Sequence, residues 1–155
     1  MTIEVPVILR SLSTAGSAIT ALTAWTKKAK GDARALIAEL NDNLNYLDMV
    51  AEDGVDLAAV VNKLSIVEYK RLSKEGYNFN ALKKRKIADY DSLKGTDLSS
   101  WSEKSTEALI ESIFEKLNDL TIKFPHVAEN NKYRWSVRVD NIRKRIWLLL
   151  KHVSG

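Results

Sequence analysis

Apolar residues recur at spacings of three and four along most of this sequence, and this periodicity limits its fold more than any other feature. One buried face of an α-helix produces such spacing, whereas a half-buried strand alternates apolar and polar residues. Gly31, Gly54, Gly76 and Gly95 separate the periodic segments, where glycine is suited to end a helix. The sequence therefore predicts an all-α protein, an antiparallel bundle of about five helices in a single domain spanning 1–155.

The first three helices are predicted to form an antiparallel set joined by short turns. The first covers 3–28, the second begins at Asp32, and the third follows Asp56 and is closed by Gly76. Asp32 is predicted as an N-cap, because a short carboxylate side chain can accept the free N–H groups of a first helical turn.

A long basic crossover at 77–99, with one or two helical turns, is predicted between the third and fourth helices. The fourth helix is predicted to begin at Ser100, where Glu103 would complete a capping box, and to end at Pro125. The fifth begins near 130–131. The seams of the second, fourth and fifth helices predict one shared core, made of Leu40, Leu44, Leu47, Ile113, Leu117, Ile142, Ile146 and Leu149.

Positive charge is concentrated in two segments, although the net charge is only +4. Residues 70–86 and 132–151 each carry seven basic residues against one acidic residue, so the remaining residues together carry −8. Such segregation favours an anionic partner. The sequence has no cysteine, which excludes disulfides and thiolate chemistry and permits a reducing compartment, so we expect a cytoplasmic protein.

The usual enzyme signatures are missing from the sequence. No two glycines lie within six residues of each other, which excludes a glycine-rich phosphate loop, and neither His126 nor His152 belongs to an H-E-x-x-H pattern. Four glutamates recur every fourth residue and would form one row on the fourth helix, but they have no histidine partner there; they are Glu103, Glu107, Glu111 and Glu115. We interpret this row as a solvated or ion-paired face and predict neither a metal nor a cofactor.

Two groups of cations are candidates for binding an anionic partner. They are Lys83, Lys84, Arg85 and Lys86 in the crossover, and Arg134, Arg138 and Arg143 in the last helix. The crossover group lies among Tyr77, Phe79 and Tyr90, and such a mixture of charge and aromatic rings is typical of single-stranded nucleic-acid binding. The structural alternatives are that the aromatic residues plug the bundle, and that the arginines pair with the acidic row.

Arg145 and His152 share one stripe of the last helix with Arg138, at intervals of seven residues. This Arg-x6-His pair resembles the Arg and His of HEPN ribonucleases, which are helical bundles, at a slightly wider spacing. The resemblance implies a general acid or base at His152 and stabilisation of phosphorane charge by Arg145. The alternative, which we favour, is structural: Arg145 bonds a carboxylate of the fourth helix, and His152 lies in a frayed last turn.

The function that the sequence favours is a non-enzymatic binding or regulatory module, with nucleic acid or an acidic protein as partner. The run 146–150 is apolar around most of the last helix, which indicates either deep burial or a homo-oligomer formed through that helix. A HEPN-like ribonuclease is the first alternative, and membrane association through the first helix is the second. We expect no membrane partner, because polar residues interrupt that helix and no run of about 18 apolar residues exists.

Overall fold

Helices account for all regular secondary structure in the computed structural model, which describes residues 17–154. The α-helices are α1 (Ser17–Lys28), α2 (Gly31–Asp53), α3 (Leu57–Val60), α4 (Val67–Lys74), α5 (Thr106–Val127) and α6 (Trp135–Ser154). The 3-10 turns are Val61–Lys63, Phe79–Leu82, Asp91–Leu93, Ser99–Trp101 and Asn131–Tyr133. Five of the six α-helices have at least eight residues, and no strand occurs between residues 17 and 154, so the predicted all-α class is confirmed.

The core of the bundle forms where α2, α5 and α6 meet. α2 packs against α1 and α6, and α6 also packs against α1 and α5. The eight residues predicted to share one core are each at most 1% exposed and belong to one buried cluster, which confirms that prediction. The apolar run 146–150 is buried within the chain, including Trp147, which the sequence placed outside the seam.

The N-terminal part of the bundle is described from Ser17 onward. α1 buries Leu22 completely, whereas the prediction of helix for 3–16 lies outside the described residues. α2 begins one residue before the predicted cap, and Asp32 pairs with Arg71 at 3.2 Å without capping the helix. Within the described range, no helix combines the length and the apolar character needed to cross a membrane.

The single helix predicted between Asp56 and Gly76 is wrong, because side chains of α2 hold a break between α3 and α4. Asn43 binds both backbone groups of Ser65, with its amide nitrogen 2.7 Å from the carbonyl and its oxygen 2.8 Å from the N–H. The Glu39 carboxylate accepts the Ser65 hydroxyl at 2.8 Å and the N–H groups of the second and third residues of α4 at 2.9 and 3.0 Å. Gly76 follows α4 with a left-handed φ of 76°, as predicted for its closure.

The predicted capping box at Ser100 and Glu103 is also wrong. The backbone of Ile87 pairs with this segment, accepting the Glu103 N–H at 2.8 Å, and Glu103 takes a left-handed φ of 69° that no α-helix allows. Ser105 is the actual N-cap of α5, since its hydroxyl accepts the N–H of Ala108 at 3.1 Å.

The connection between α5 and α6 differs from the prediction at both ends. α5 continues past Pro125 to Val127, so the end predicted at Pro125 is wrong by two residues. Residues 131–133 form a 3-10 turn, Arg134 is left-handed with a φ of 48°, and α6 begins at Trp135. The predicted start near 130–131 is therefore too early by about one turn.

Candidate functional site

Arg143, predicted as a binding residue of the last helix, is buried between α2 and α6. It is 5% exposed and donates hydrogen bonds to Asp48 at 2.8 Å, to Asp140 at 3.0 Å and to Glu52. Burial raises the pKa of the Asp48 carboxyl, and the hydrogen bond from Arg143 opposes that shift. Its charge is used within the chain, because Arg143 faces the last turns of α2, which supply two of the three carboxylates.

Arg145 makes no salt bridge to another described residue. Its Nη1 donates to the backbone carbonyl of Asn141 at 2.9 Å, and its Nε is buried without a hydrogen-bond partner. Burial lowers the pKa of Arg145, against a smaller opposing effect of Asp97. The expectation that Arg145 bonds a carboxylate of the fourth predicted helix is wrong, because α5 brings Lys116 into this region instead.

His152 is fully buried in the last turn of α6, so the expectation of a frayed end is wrong as well. Its Nε2 lies 2.8 Å from the Thr106 hydroxyl, which itself donates to the carbonyl of Lys83 at 2.7 Å. Because the single hydroxyl proton is used on that carbonyl, Nε2 must carry the imidazole proton. Nδ1 is then a buried acceptor without a hydrogen-bond partner. Burial lowers the pKa of His152, and the positive charges of Lys83 and Arg85 lower it further.

Placed in this way, Arg145 and His152 do not form an open site. A general acid or base has to reach its substrate, yet His152 is 0% exposed. Neither residue lines the cavity that lies between α5 and the start of α6. The geometry therefore gives no support to the ribonuclease alternative.

The basic crossover is divided between surface and core. Lys84, Arg85 and Lys86 are exposed, whereas Lys83 is partly buried and its ammonium lies 3.4 Å from the Val153 carbonyl. Phe79 is 2% exposed and packs against Tyr69, which stacks on Phe114 of the core at 4.7 Å between ring centroids. Phe79 therefore belongs to the core, and Lys84, Arg85 and Lys86 are the cations of this group that remain on the surface.

The predicted row of glutamates is shorter than expected. Glu103 lies before α5, so only Glu107, Glu111 and Glu115 share the helix face. Burial raises the pKa of Glu111, and the two neighbouring carboxylates add to the shift. Between residues 17 and 154 no group of three or more histidine, aspartate or glutamate side chains is arranged to hold a metal ion.

A cationic cavity of about 290 Å³ lies between α5 and the first turns of α6. Four basic side chains line it, and the one acidic side chain in its wall is Asp119. The basic residues are Lys116, Lys132, Arg134 and Arg138. The structure thus brings two of the predicted binding residues, Arg134 and Arg138, together with two lysines that the sequence did not single out.

Aromatic rings hold Arg138 at the mouth of this cavity. Its Nε donates to the Tyr133 carbonyl at 2.7 Å, and its guanidinium lies 5.3 Å from the Tyr133 ring centroid and 5.7 Å from that of Trp135. Tyr133 stacks on Trp135 at 5.2 Å between centroids, and Trp135 packs edge-on against Phe124 at 5.1 Å. Because these rings connect α6 to the end of α5, the guanidinium is fixed before any ligand arrives.

The charges in the cavity are poorly compensated. None of the four cations makes a salt bridge to another residue in the described part of the chain. Burial lowers the pKa of Lys116, the positive charges of Arg145 and Arg138 lower it further, and the carboxylates of Asp119 and Glu115 oppose the shift without cancelling it. Like charges held close together destabilise one another, so an anion that entered the cavity would be stabilised by all of them.

The backbone at the start of α6 adds to this positive potential. The first N–H within the helix that finds a carbonyl is that of Arg138, which donates to Arg134 at 3.1 Å. The preceding N–H groups of α6 have no acceptor within the helix, and its dipole places partial positive charge at the same end. Val137 and Arg138 of this turn line the cavity. Side chains and helix terminus therefore favour the same kind of ligand.

The sequence matches no family model, and neither curated proteins nor solved structures give a significant match. The function has to be inferred from the chemistry of the cavity.

Proposed function

We propose that this protein is a non-enzymatic binding module whose α5–α6 cavity takes an anionic group of its ligand. The observation that carries the proposal is the convergence of Lys116, Lys132, Arg134 and Arg138 on one cavity, where Asp119 is the only acidic residue among the described residues of the wall. Each arginine offers a planar donor fork that suits phosphate or carboxylate oxygens, and the lysines add point charges.

The arrangement suits binding better than it suits pairing within the chain. Arg143, on the same helix, satisfies its charge with three carboxylates. Arg138, by contrast, is held by a carbonyl and two aromatic rings, so its charge is positioned without being neutralised. A ligand anion supplies the missing negative charge and also relieves the repulsion acting on Lys116.

Titration calorimetry with inorganic pyrophosphate tests this proposal. Pyrophosphate carries charge but no base, sugar or peptide, so it isolates the anionic part of the interaction. We expect binding at low ionic strength that weakens as salt is raised, because the exposed cations of the cavity are screened.

A charge-matched pair of variants locates the site. Lys132→Gln with Arg134→Asn removes two cations from the cavity, and asparagine tolerates the left-handed conformation of position 134. Lys27→Gln with Lys28→Gln removes the same charge from the exposed end of α1. The first pair should weaken binding strongly and the second only slightly; equal losses, or no binding at low salt, would contradict the proposal.

The exposed crossover cations provide a further discrimination. Lys84, Arg85 and Lys86 form the other predicted binding surface, and their replacement by glutamine should leave pyrophosphate binding largely intact. If this replacement abolishes binding, the anion binds at the crossover and the assignment to the cavity is wrong.

A further inference from the structure

The cavity between α5 and α6 has an apolar part as well as a charged part. Leu120 and Ile142, at 2% and 1% exposure, line it together with Val137 and form an apolar wall. A free inorganic anion would leave that wall without a partner. Pockets that combine an apolar lining with a few polar groups are typical sites for small organic ligands.

The charge of the cavity sets the charge of that ligand. Four cations against one carboxylate leave three positive charges in excess. A terminal phosphate carries about −1.5 to −2 at pH 7, so a single phosphate leaves part of the excess uncompensated. Two linked phosphates match it more closely, and the exposed positions of Lys132 and Arg134 allow them to lie at the rim without being enclosed.

The size of the cavity favours one small molecule over a nucleic-acid strand. Its volume of about 290 Å³ is near the lower end of the range for small-molecule sites. A single strand is usually held along a groove that covers roughly 4 to 16 nucleotides. The basic side chains of the cavity surround one space between α5 and the start of α6 and do not form an extended groove.

Two polar side chains in the wall are available for an uncharged part of the ligand. Asp119 and Asn141 line the cavity, and the Asp119 carboxylate makes no salt bridge to another described residue, although its charge acts on Lys116. A carboxylate accepts from hydroxyl or amino groups, and an amide both donates and accepts. A sugar diol and the edge of a heterocyclic base offer these groups.

We infer, on the basis of the proposed function, that the α5–α6 cavity binds a nucleoside diphosphate. The base lies against the apolar side chains of Leu120, Val137 and Ile142, the ribose hydroxyls donate to Asp119, and the two phosphates lie among Lys116, Arg134 and Arg138. Side chains supply the phosphate contacts here, in place of the backbone of a glycine-rich loop. The site is one of binding, and no bond of the ligand is broken.

Calorimetry with three probes, namely ADP, pyrophosphate and adenosine, in magnesium-free buffer tests the assignment. Burial of the base against the apolar wall is expected to make ADP bind about five- to a hundredfold more tightly than pyrophosphate. Adenosine alone should bind much more weakly than ADP. If ADP and pyrophosphate bind equally, the nucleoside assignment is overturned although the anion-binding proposal stands; if neither binds, both are overturned.

The Asp119→Asn variant gives a test with opposite signs. Removing this carboxylate lowers repulsion, so pyrophosphate should bind more tightly, whereas ADP should bind less tightly because the ribose loses its acceptor. Asp42→Asn, an exposed substitution on α2 with the same change of charge, should shift both affinities slightly in the same direction. Equal gains for both ligands in Asp119→Asn would contradict the predicted ribose contact.

An oligonucleotide competition completes the test. In a competition against labelled ADP bound to the protein, a single-stranded hexamer should need a higher concentration than unlabelled ADP to displace the label. Displacement at a lower concentration would assign the cavity to nucleic acid and overturn the nucleoside diphosphate assignment.

Discussion

The Nε2 of His152 lies 2.8 Å from the hydroxyl of Thr106, so the last turn of α6 is tied to the first turn of α5 inside the core. The same hydroxyl donates to the carbonyl of Lys83 at 2.7 Å, which adds the crossover to the contact. This buried group fixes the antiparallel register of α5 and α6 at one end. The same register brings Lys116 of α5 and Arg138 of α6 together in the wall of the cationic cavity.

Thr106→Val should destabilise the protein, because it removes the hydroxyl while keeping the shape of the side chain. The buried Nε2–H and the Lys83 carbonyl would both lose a partner, at a cost of about 1 to 3 kcal/mol in the free energy of unfolding. Thr106→Ser retains the hydroxyl and should lose less. Urea denaturation of the three proteins measures the difference, and equal stabilities of the Val variant and the parent would contradict the hydrogen bond.

His152 should make the protein less stable in mild acid. Its pKa is lowered in the fold from the ordinary value of 6.5, by burial and by the charges of Lys83 and Arg85. Below pH 6.5 the unfolded chain therefore binds a proton that the folded chain does not, and the free energy of unfolding falls by up to about 1.4 kcal/mol per pH unit until the lowered pKa is reached.

His152→Gln serves as the control for this pH dependence, since its amide can donate to Thr106 but does not titrate. The parent should lose more stability than the variant between pH 7.5 and pH 5.5, measured by urea denaturation. Parallel losses would show that the imidazole is not held neutral.

Leu117→Ala should cost about 2 to 5 kcal/mol, because the side chain is fully buried in the core and its removal leaves a cavity. Ile122→Ala on the same helix is the control, since Ile122 is 57% exposed and should change stability by less than about 0.5 kcal/mol. Chemical denaturation distinguishes the two. A loss below 1 kcal/mol for Leu117→Ala would contradict complete burial.

Arg143→Met should destabilise the protein by about 3 to 5 kcal/mol, because the carboxylates around it, above all Asp48, lose their cation. Adding Asp48→Asn should restore part of this loss, since the remaining buried charge is then removed. Arg71→Met is the comparison: Arg71 also pairs with three carboxylates, but in solvent, and its loss should be much smaller. Similar losses at both arginines, measured by urea denaturation, would contradict the role of burial.

The core of this protein is predictable from sequence because it depends on local spacing. Leu117 and Ile146 belong to series of apolar residues spaced three and four apart, and a helix places such residues on one face, which is then buried. The start of α5 is less accessible, since Ser100 and Ser105 are both suited to be N-caps. The choice between them depends on the backbone pairing of Ile87 with Glu103, which no local pattern indicates.

For the same reason, the sequence predicts only two of the four basic residues that line the cavity. Arg134 and Arg138 are recognisable as residues of one basic segment, but Lys116 joins them only through the packing of α5 on α6. Arg143 belongs to the same basic segment, yet its partners Asp48 and Glu52 lie 95 and 91 residues away in sequence. These long-range ion pairs distinguish the buried Arg143 from an arginine that can bind a ligand, and they cannot be inferred from composition.

A titration of the ¹⁵N-labelled protein with pyrophosphate, followed by the backbone amide resonances, tests directly whether the cavity binds an anion. We expect the largest shifts at 116–119 and 134–138, around the cavity, and we expect them to be absent in the Lys132→Gln, Arg134→Asn variant. Shifts confined to 83–86, or no shifts at low ionic strength, would contradict the assignment of the α5–α6 cavity as an anion-binding site.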